Sequence, residues 1–66
     1  MKVKELVMLA LDSKIEVIED LKVICKVNTA DRWNDWYGVL VDKNLMERKI
    51  AHFCVGERGL VITLDF

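Results

Sequence analysis

The sequence predicts an α+β domain, an N-terminal helix packed on a small antiparallel sheet of two hairpins, in the order α-β-β-(short α)-β-β. Three observations carry this expectation. Apolar residues recur at helical spacing near the start, at Val3, Leu6, Val7 and Ala10. From Lys14 the period switches to two. The end holds two alternating segments around a four-residue loop, Gly56-Glu57-Arg58-Gly59, the signature of a terminal hairpin.

The helical spacing predicts a helix over Val3–Leu11, ended by Asp12-Ser13. Met8, Leu9 and Leu11 widen its apolar stripe until Lys2, Lys4 and Glu5 are nearly the only polar edge, so a broad apolar surface is expected against it. About nine residues do not hold a helix in water, so packing must.

KIEVIED and LKVICKVN read as two strands turning near Glu19-Asp20-Leu21, with Asp20 the expected left-handed residue. An odd-length loop would set Val17 opposite Val23 and Ile15 opposite Cys25, and bring Glu16 to the Lys22–Lys26 side. After Thr29 the chain is irregular. Val39–Val41 fits a short strand or the approach to a short helix, and Asp42 or Asn44 is placed to cap a turn of helix through Leu45-Met46-Glu47-Arg48. In the last hairpin, pairing Val55 with Leu60 puts Ala51, Phe53 and Val55 on the core face with Leu60, Ile62 and Leu64. Ile50, His52 and Cys54 then share the other face with Val61, Thr63 and Asp65.

The chain has 66 residues and reads as one domain, residues 1–66. Small domains are marginally stable and lean on disulfides, metals or partner chains. Hydrophobic residues make up 53% and charged residues 32%, with a net charge of −1, which excludes a disordered polyelectrolyte and disfavours counterion-release binding to nucleic acid. Cys25 and Cys54 are too few for a secreted disulfide scaffold and read as two buried thiols in a reducing cytosol. No apolar run approaches the ~20 residues of a membrane span. Glu5 interrupts the one signal-like stretch at the start, so the expected location is cytoplasmic.

Lys4-Glu5-Leu6, Ile15 to Asp20, Leu45 to Ile50 and Gly59 to Leu64 together resemble the short hypothetical proteins common in phages and prophages of Gram-positive bacteria. The resemblance covers both ends of the chain and not its middle. It implies an accessory role, of which an inhibitor of a host defence system such as an anti-CRISPR is one instance, and it supplies no catalytic residue.

Catalytic patterns are thin. His52 is the single histidine; His52 and Cys54 share a strand face, but zinc asks for three or four ligands. At that spacing they lie ~7 Å apart, loose for a Cys–His nucleophile. Glu16, Glu19 and Asp20 read as a solvated acidic edge, and Gly56-Glu57-Arg58-Gly59 lacks the lysine and helix of a phosphate loop. No catalytic residue, metal site or cofactor is expected, and the protein is not expected to be an enzyme.

The distinctive segment is Asp31-Arg32-Trp33-Asn34-Asp35-Trp36-Tyr37-Gly38. On one turn of helix its three rings would share a side. They either cover the sheet or form a contact surface, since Trp, Tyr and Arg dominate interface hot spots. Ile18, Ile24, Ile50 and Val61 are left on the second sheet face, and either the aromatic segment or a second chain must cover them. The expected function is a protein-interaction module whose partner is another protein or a second copy of itself. Arg32, Trp33, Trp36 and Tyr37 would make the contact, with Asp31 and Asp35 as its polar rim. The alternative is a single-stranded nucleic-acid binder using Lys22, Lys26, Arg32 and the tryptophans.

Overall fold

The computed structural model describes every residue except Leu11, Arg32, Asn34, Arg58 and Phe66. The elements are α1 (Val3–Leu9), β1 (Lys14–Glu19), β2 (Lys22–Asn28), α2 (Trp36–Asp42), β3 (Ile50–Gly56) and β4 (Gly59–Leu64). This is the expected α+β order of two hairpins and two helices. The sheet is mixed, however, with strand order β2-β1-β4-β3. Each hairpin is antiparallel, while β1 and β4 lie parallel, Ile15 beside Leu60 and Val17 beside Ile62. The cause is the helix between the hairpins. The segment through α2 carries the chain back along the sheet, so β3 runs in the direction of β2 and β4 in that of β1.

One face of the sheet carries the core. Val3, Leu6 and Val7 of α1, Leu40 of α2, and Leu45 and Met46 pack on Ile15, Val17, Cys25, Val27, Leu60, Ile62 and Leu64. Burying each such aliphatic side chain contributes roughly 1.5–3 kcal/mol. Helix α1 stops two residues short of the expected end, and Met8 and Leu9 are exposed, so its apolar stripe is narrower than its composition suggested. Leu11 lies outside the described residues.

The start of α1 is held by the segment before β3. The Glu5 carboxylate accepts the Lys2 N–H at 3.1 Å. The Val3 and Lys4 N–H groups, which a helix leaves without internal acceptors, donate to the carbonyls of Arg48 and Met46 at 3.0 Å each. Lys2 and Lys4 both reach Glu47 at 2.8 Å. Arg48 pairs with Glu19 at the far end of β1. Thr29 closes the other end: its hydroxyl accepts the Ser13 N–H at 2.9 Å and faces the carbonyls of Ala10 and Ser13.

The first hairpin corrects the expected register. Its loop is even, Asp20-Leu21 alone, and both residues have positive φ, 53° and 63°. That is the backbone of a mirror-image two-residue turn, whose twist matches the strands. A bulge then repairs the pattern: Ile18 faces Val23, Val17 faces Cys25, and Ile24 is the extra residue. Val17 and Ile15 therefore lie opposite Cys25 and Val27, not Val23 and Cys25. Glu16 does fall opposite Lys26.

The second hairpin pairs Val55 with Leu60 as expected, and Gly56 also pairs with Gly59. Gly56 and Gly59, expected within the loop, are thus strand residues, and Arg58 is outside the described residues. A register shift between Ile50 and His52 leaves Ala51 as the extra residue and sets Ile50 opposite Leu64. Ile50 is thereby turned onto the core, and Ala51, expected there, is exposed. Phe53 and Val55 lie on the core face but outside its cover, 47% and 75% exposed.

The short helix also sits elsewhere than expected. It spans Trp36–Asp42 and takes in Val39–Val41, while Leu45 and Met46 follow it as non-helical core residues. It lies on the core face, so the aromatic segment does not cover the second sheet face. Of the residues expected there, Ile24 and Ile50 pack against the core, and Ile18 and Val61 remain half-buried.

Candidate protein-interaction surface

The segment from Asn28 to Gly38 is shaped by short polar side chains bonding to nearby backbone. The Asn28 side-chain oxygen accepts the Ala30 N–H at 3.0 Å, and Asp31 Oδ1 accepts the Trp33 N–H at 3.0 Å. These are turns in which a side chain imitates the backbone. Asp35 Oδ1 then accepts the Gly38 N–H at 3.0 Å and caps α2. Gly38 makes room for this cap, because a Cβ there would lie 2.2 Å from the Asp35 carboxylate. Asp31 and Asp35, expected as a polar rim, thus bond to the segment's own backbone.

The three rings do not share one side of a helix. Trp33 precedes α2 and stands 98% exposed. Trp36, the first residue of α2, is half-buried against the core. Tyr37 meets it edge to face, with ring centroids 5.8 Å apart and planes at 77°, and is itself 55% exposed. The aromatic group divides, then, into an inward ring, a ring resting on it and a ring held out. Arg32 lies outside the described residues.

Tyr37 and Val41, one helical turn apart on α2, line a groove of about 380 Å³ with Lys4, Met46 and Glu47. Tyr37, Val41 and Met46 give it apolar area, and Lys4, Asn44 and Glu47 make the rest of its lining polar. Glu47 is held down to about 2 by the hydrogen bonds from Lys2 and then Lys4, and Lys4 is raised in turn by Glu47. The groove therefore presents an ionised, already paired rim. Val41, and the exposed Met8 and Leu9 of α1, were not legible as surface in the sequence, because their hydropathy matches that of core residues.

The remaining sites of interest are dispersed. Lys22 faces Glu19 at the hairpin turn, and Lys26 faces Glu16 on the outer sheet face, away from α2. Lys14 and Lys26 line a wide hollow, but Asp12, Glu16 and Glu57 line it as well. His52 and Cys54 are exposed on the outer face, so Cys54 is not the buried thiol expected of it: β3 is an edge strand, and among the described residues no element covers that face there. Cys25 is buried, and desolvation pushes its thiol up, which makes it a packing residue more than a nucleophile. Among the described residues no group of three or more His, Cys, Asp or Glu could hold a metal ion, and no helix is long and apolar enough to cross a membrane.

In comparisons with protein-family models, curated proteins and solved structures, the chain matched none of them.

Proposed function

We propose that this protein is a non-enzymatic interaction module that binds a protein partner through Trp33, Tyr37 and the groove beside Val41. The observation that carries the reading is Trp33, a large aromatic ring 98% exposed on a backbone tied down by Asp31. A preorganised aromatic lowers the entropy lost on binding, and such rings supply most hot-spot energy. Tyr37 and Val41 extend the apolar area, and the Lys4–Glu47 pair borders it. Trp36 drops out of the contact set as a ring already engaged with the core.

The resemblance of the two ends to short phage-encoded proteins extends the proposal. The partner is then a protein of a bacterial host, met in the cytoplasm, and inhibition of a defence system is one form the role takes.

The test compares the wild type with Trp33→Ala and Tyr37→Ala as immobilised baits for host lysate, with captured protein quantified. Trp33→Ala keeps the wild-type melting temperature, Tyr37→Ala stays folded but melts a few degrees lower for the loss of its contact with Trp36, and each loses the captured partner by about tenfold or more, the loss expected of a hot spot. Equal capture by all three baits would sink the reading. Retention of single-stranded DNA at low salt, lost with Trp33→Ala, would replace it with the nucleic-acid reading.

A further inference from the structure

We infer that β3 is a self-pairing edge: two copies of this chain join β3 to β3 antiparallel about a two-fold axis at Cys54, making one continuous eight-stranded sheet.

Among the described residues, β3 ends the sheet, with β4 as its one strand neighbour. Edge strands of this length are ordinarily blunted by charge or proline. Here the run Ile50-Ala51-His52-Phe53-Cys54-Val55-Gly56 contains no Asp, Glu, Lys, Arg or Pro. The strand is exposed along its length after Ile50.

The free part of the edge is bounded. At its start the N-terminal residues already pair with it: Lys2 bridges Lys49, and the Ile50 N–H donates to the Met1 carbonyl at 2.9 Å. Ala51 is displaced by the bulge. At the other end Gly56 closes the turn with Gly59. His52 to Gly56 remain, five positions centred on Cys54.

The ladder sets which backbone groups are open. In a hairpin whose last pair closes a two-residue loop, that pair is hydrogen-bonded and the pairs alternate from there. Gly56, Cys54 and His52 then bond to β4, while the N–H and C=O groups of Phe53 and Val55 point away from it. Directly opposed residues in a ladder share a face, so a two-fold must pass through a residue and not between two. An axis at Cys54 pairs Phe53 of each copy with Val55 of the other, engaging both outward-pointing residues and avoiding the bulge.

Side chains argue for a second copy as the occupant. Phe53 and Val55 lie on the core face, opposite Ile62 and Leu60, yet are 47% and 75% exposed. Neither belongs to the hydrophobic core. In the paired arrangement each Phe53 ring lies across from a Val55, an aromatic–β-branched pair of the kind that stabilises sheets. No charge faces its own copy anywhere along the contact, and the shared ladder covers two edges at once. The surface is separate from Trp33 and Tyr37, and the inference stands independently of the proposed partner.

Sedimentation of the wild type across a concentration series tests this, alongside Val55→Lys and Cys54→Ser. A contact this short belongs with weak, transient interfaces, so the mass should climb from monomer to dimer as concentration rises. Val55→Lys adds a charge at an exposed position, keeps the fold by circular dichroism, and should remain monomeric throughout. With diamide as oxidant, which takes up the two hydrogens lost by the thiols, the wild type should form a Cys54–Cys54 disulfide dimer. Val55→Lys should form at least several-fold less, and Cys54→Ser none. A wild type monomeric at every concentration, a Val55→Lys variant that still dimerises, or crosslinking indifferent to Val55→Lys would each overturn the inference.

Discussion

The rings of Trp36 and Tyr37 meet edge to face at 5.8 Å, and through them the buried side of α2 is joined to its exposed side. Trp36 rests on the core while Tyr37 stands half outside it, and Trp33 is fully outside. One short segment thus contains a structural ring and a presented ring only three residues apart.

This division predicts opposite outcomes for two similar substitutions. Trp36→Ala should cost about 2–3 kcal/mol, somewhat below the range for a fully buried ring. Trp33→Ala should stay within about 0.5 kcal/mol of wild type, as exposed substitutions do. Urea denaturation gives both values. Trp33→Phe should leave blue-shifted, iodide-resistant emission from Trp36, and Trp36→Phe should leave red-shifted, quenchable emission from Trp33. Identical emission from the two variants would contradict the division.

Gly59 is required by its surroundings. Its φ is +110°, and a Cβ there would lie 2.2 Å from the Lys14 carbonyl oxygen, a backbone atom with nowhere to go. Gly59→Ala should destabilise by about 2 kcal/mol or more, combining backbone strain with displacement of β1. A melting temperature unchanged from wild type would refute the β1–β4 contact at this point.

Leu21 is the converse case. It sits 98% exposed at φ +63°, a left-handed conformation unfavourable for a residue with a Cβ. Asp-Gly is a favoured pair for this turn. Leu21→Gly should therefore stabilise the protein by roughly 0.5–1 kcal/mol, less the added freedom of glycine in the unfolded chain. Differential scanning calorimetry would register a higher melting temperature; a lower one would mean that Leu21 makes a contact worth more than its strain.

The Glu47 brace makes a pH-dependent contribution of known sign. Its carboxyl is lowered from 4.5 to about 2 in the folded protein, first by Lys2 and then by Lys4. A depressed folded value stabilises above the unfolded one, so the contribution is intact above about pH 4.5 and disappears as pH falls toward 2. Lys4 is raised above 10.5, so its share is present at neutral pH and lost in strong alkali. Both groups are exposed, and salt should weaken the effect. Urea midpoints between pH 5 and 2 should fall less steeply in Glu47→Gln than in wild type, and superimposable curves would show that the brace contributes nothing.

The fold class was legible because its signal is local. Helical spacing at Val3, Leu6, Val7 and Ala10, and alternation through Ile15 and Val17 and through Leu60, Ile62 and Leu64, mark their elements without reference to anything distant. Single-residue offsets were not. The bulges at Ile24 and Ala51 leave composition and alternation looking regular, yet each reverses which side chains face inward. The site was half legible: the aromatic cluster stands out in the sequence, but Trp33 and Trp36 are chemically identical.

The sequence by itself determined that this chain forms two hairpins and a packed helix, and that its aromatics are concentrated in one segment. Those properties follow from the stereochemistry of neighbouring residues. Only the tertiary structure decided that β1 and β4 run parallel, that α2 starts at Trp36, that Trp36 turns inward while Trp33 does not, and that Phe53 and Val55 are left at an open edge. Each of these depends on which distant surfaces meet, and burial is a property of the assembled layers, not of the residue that is buried.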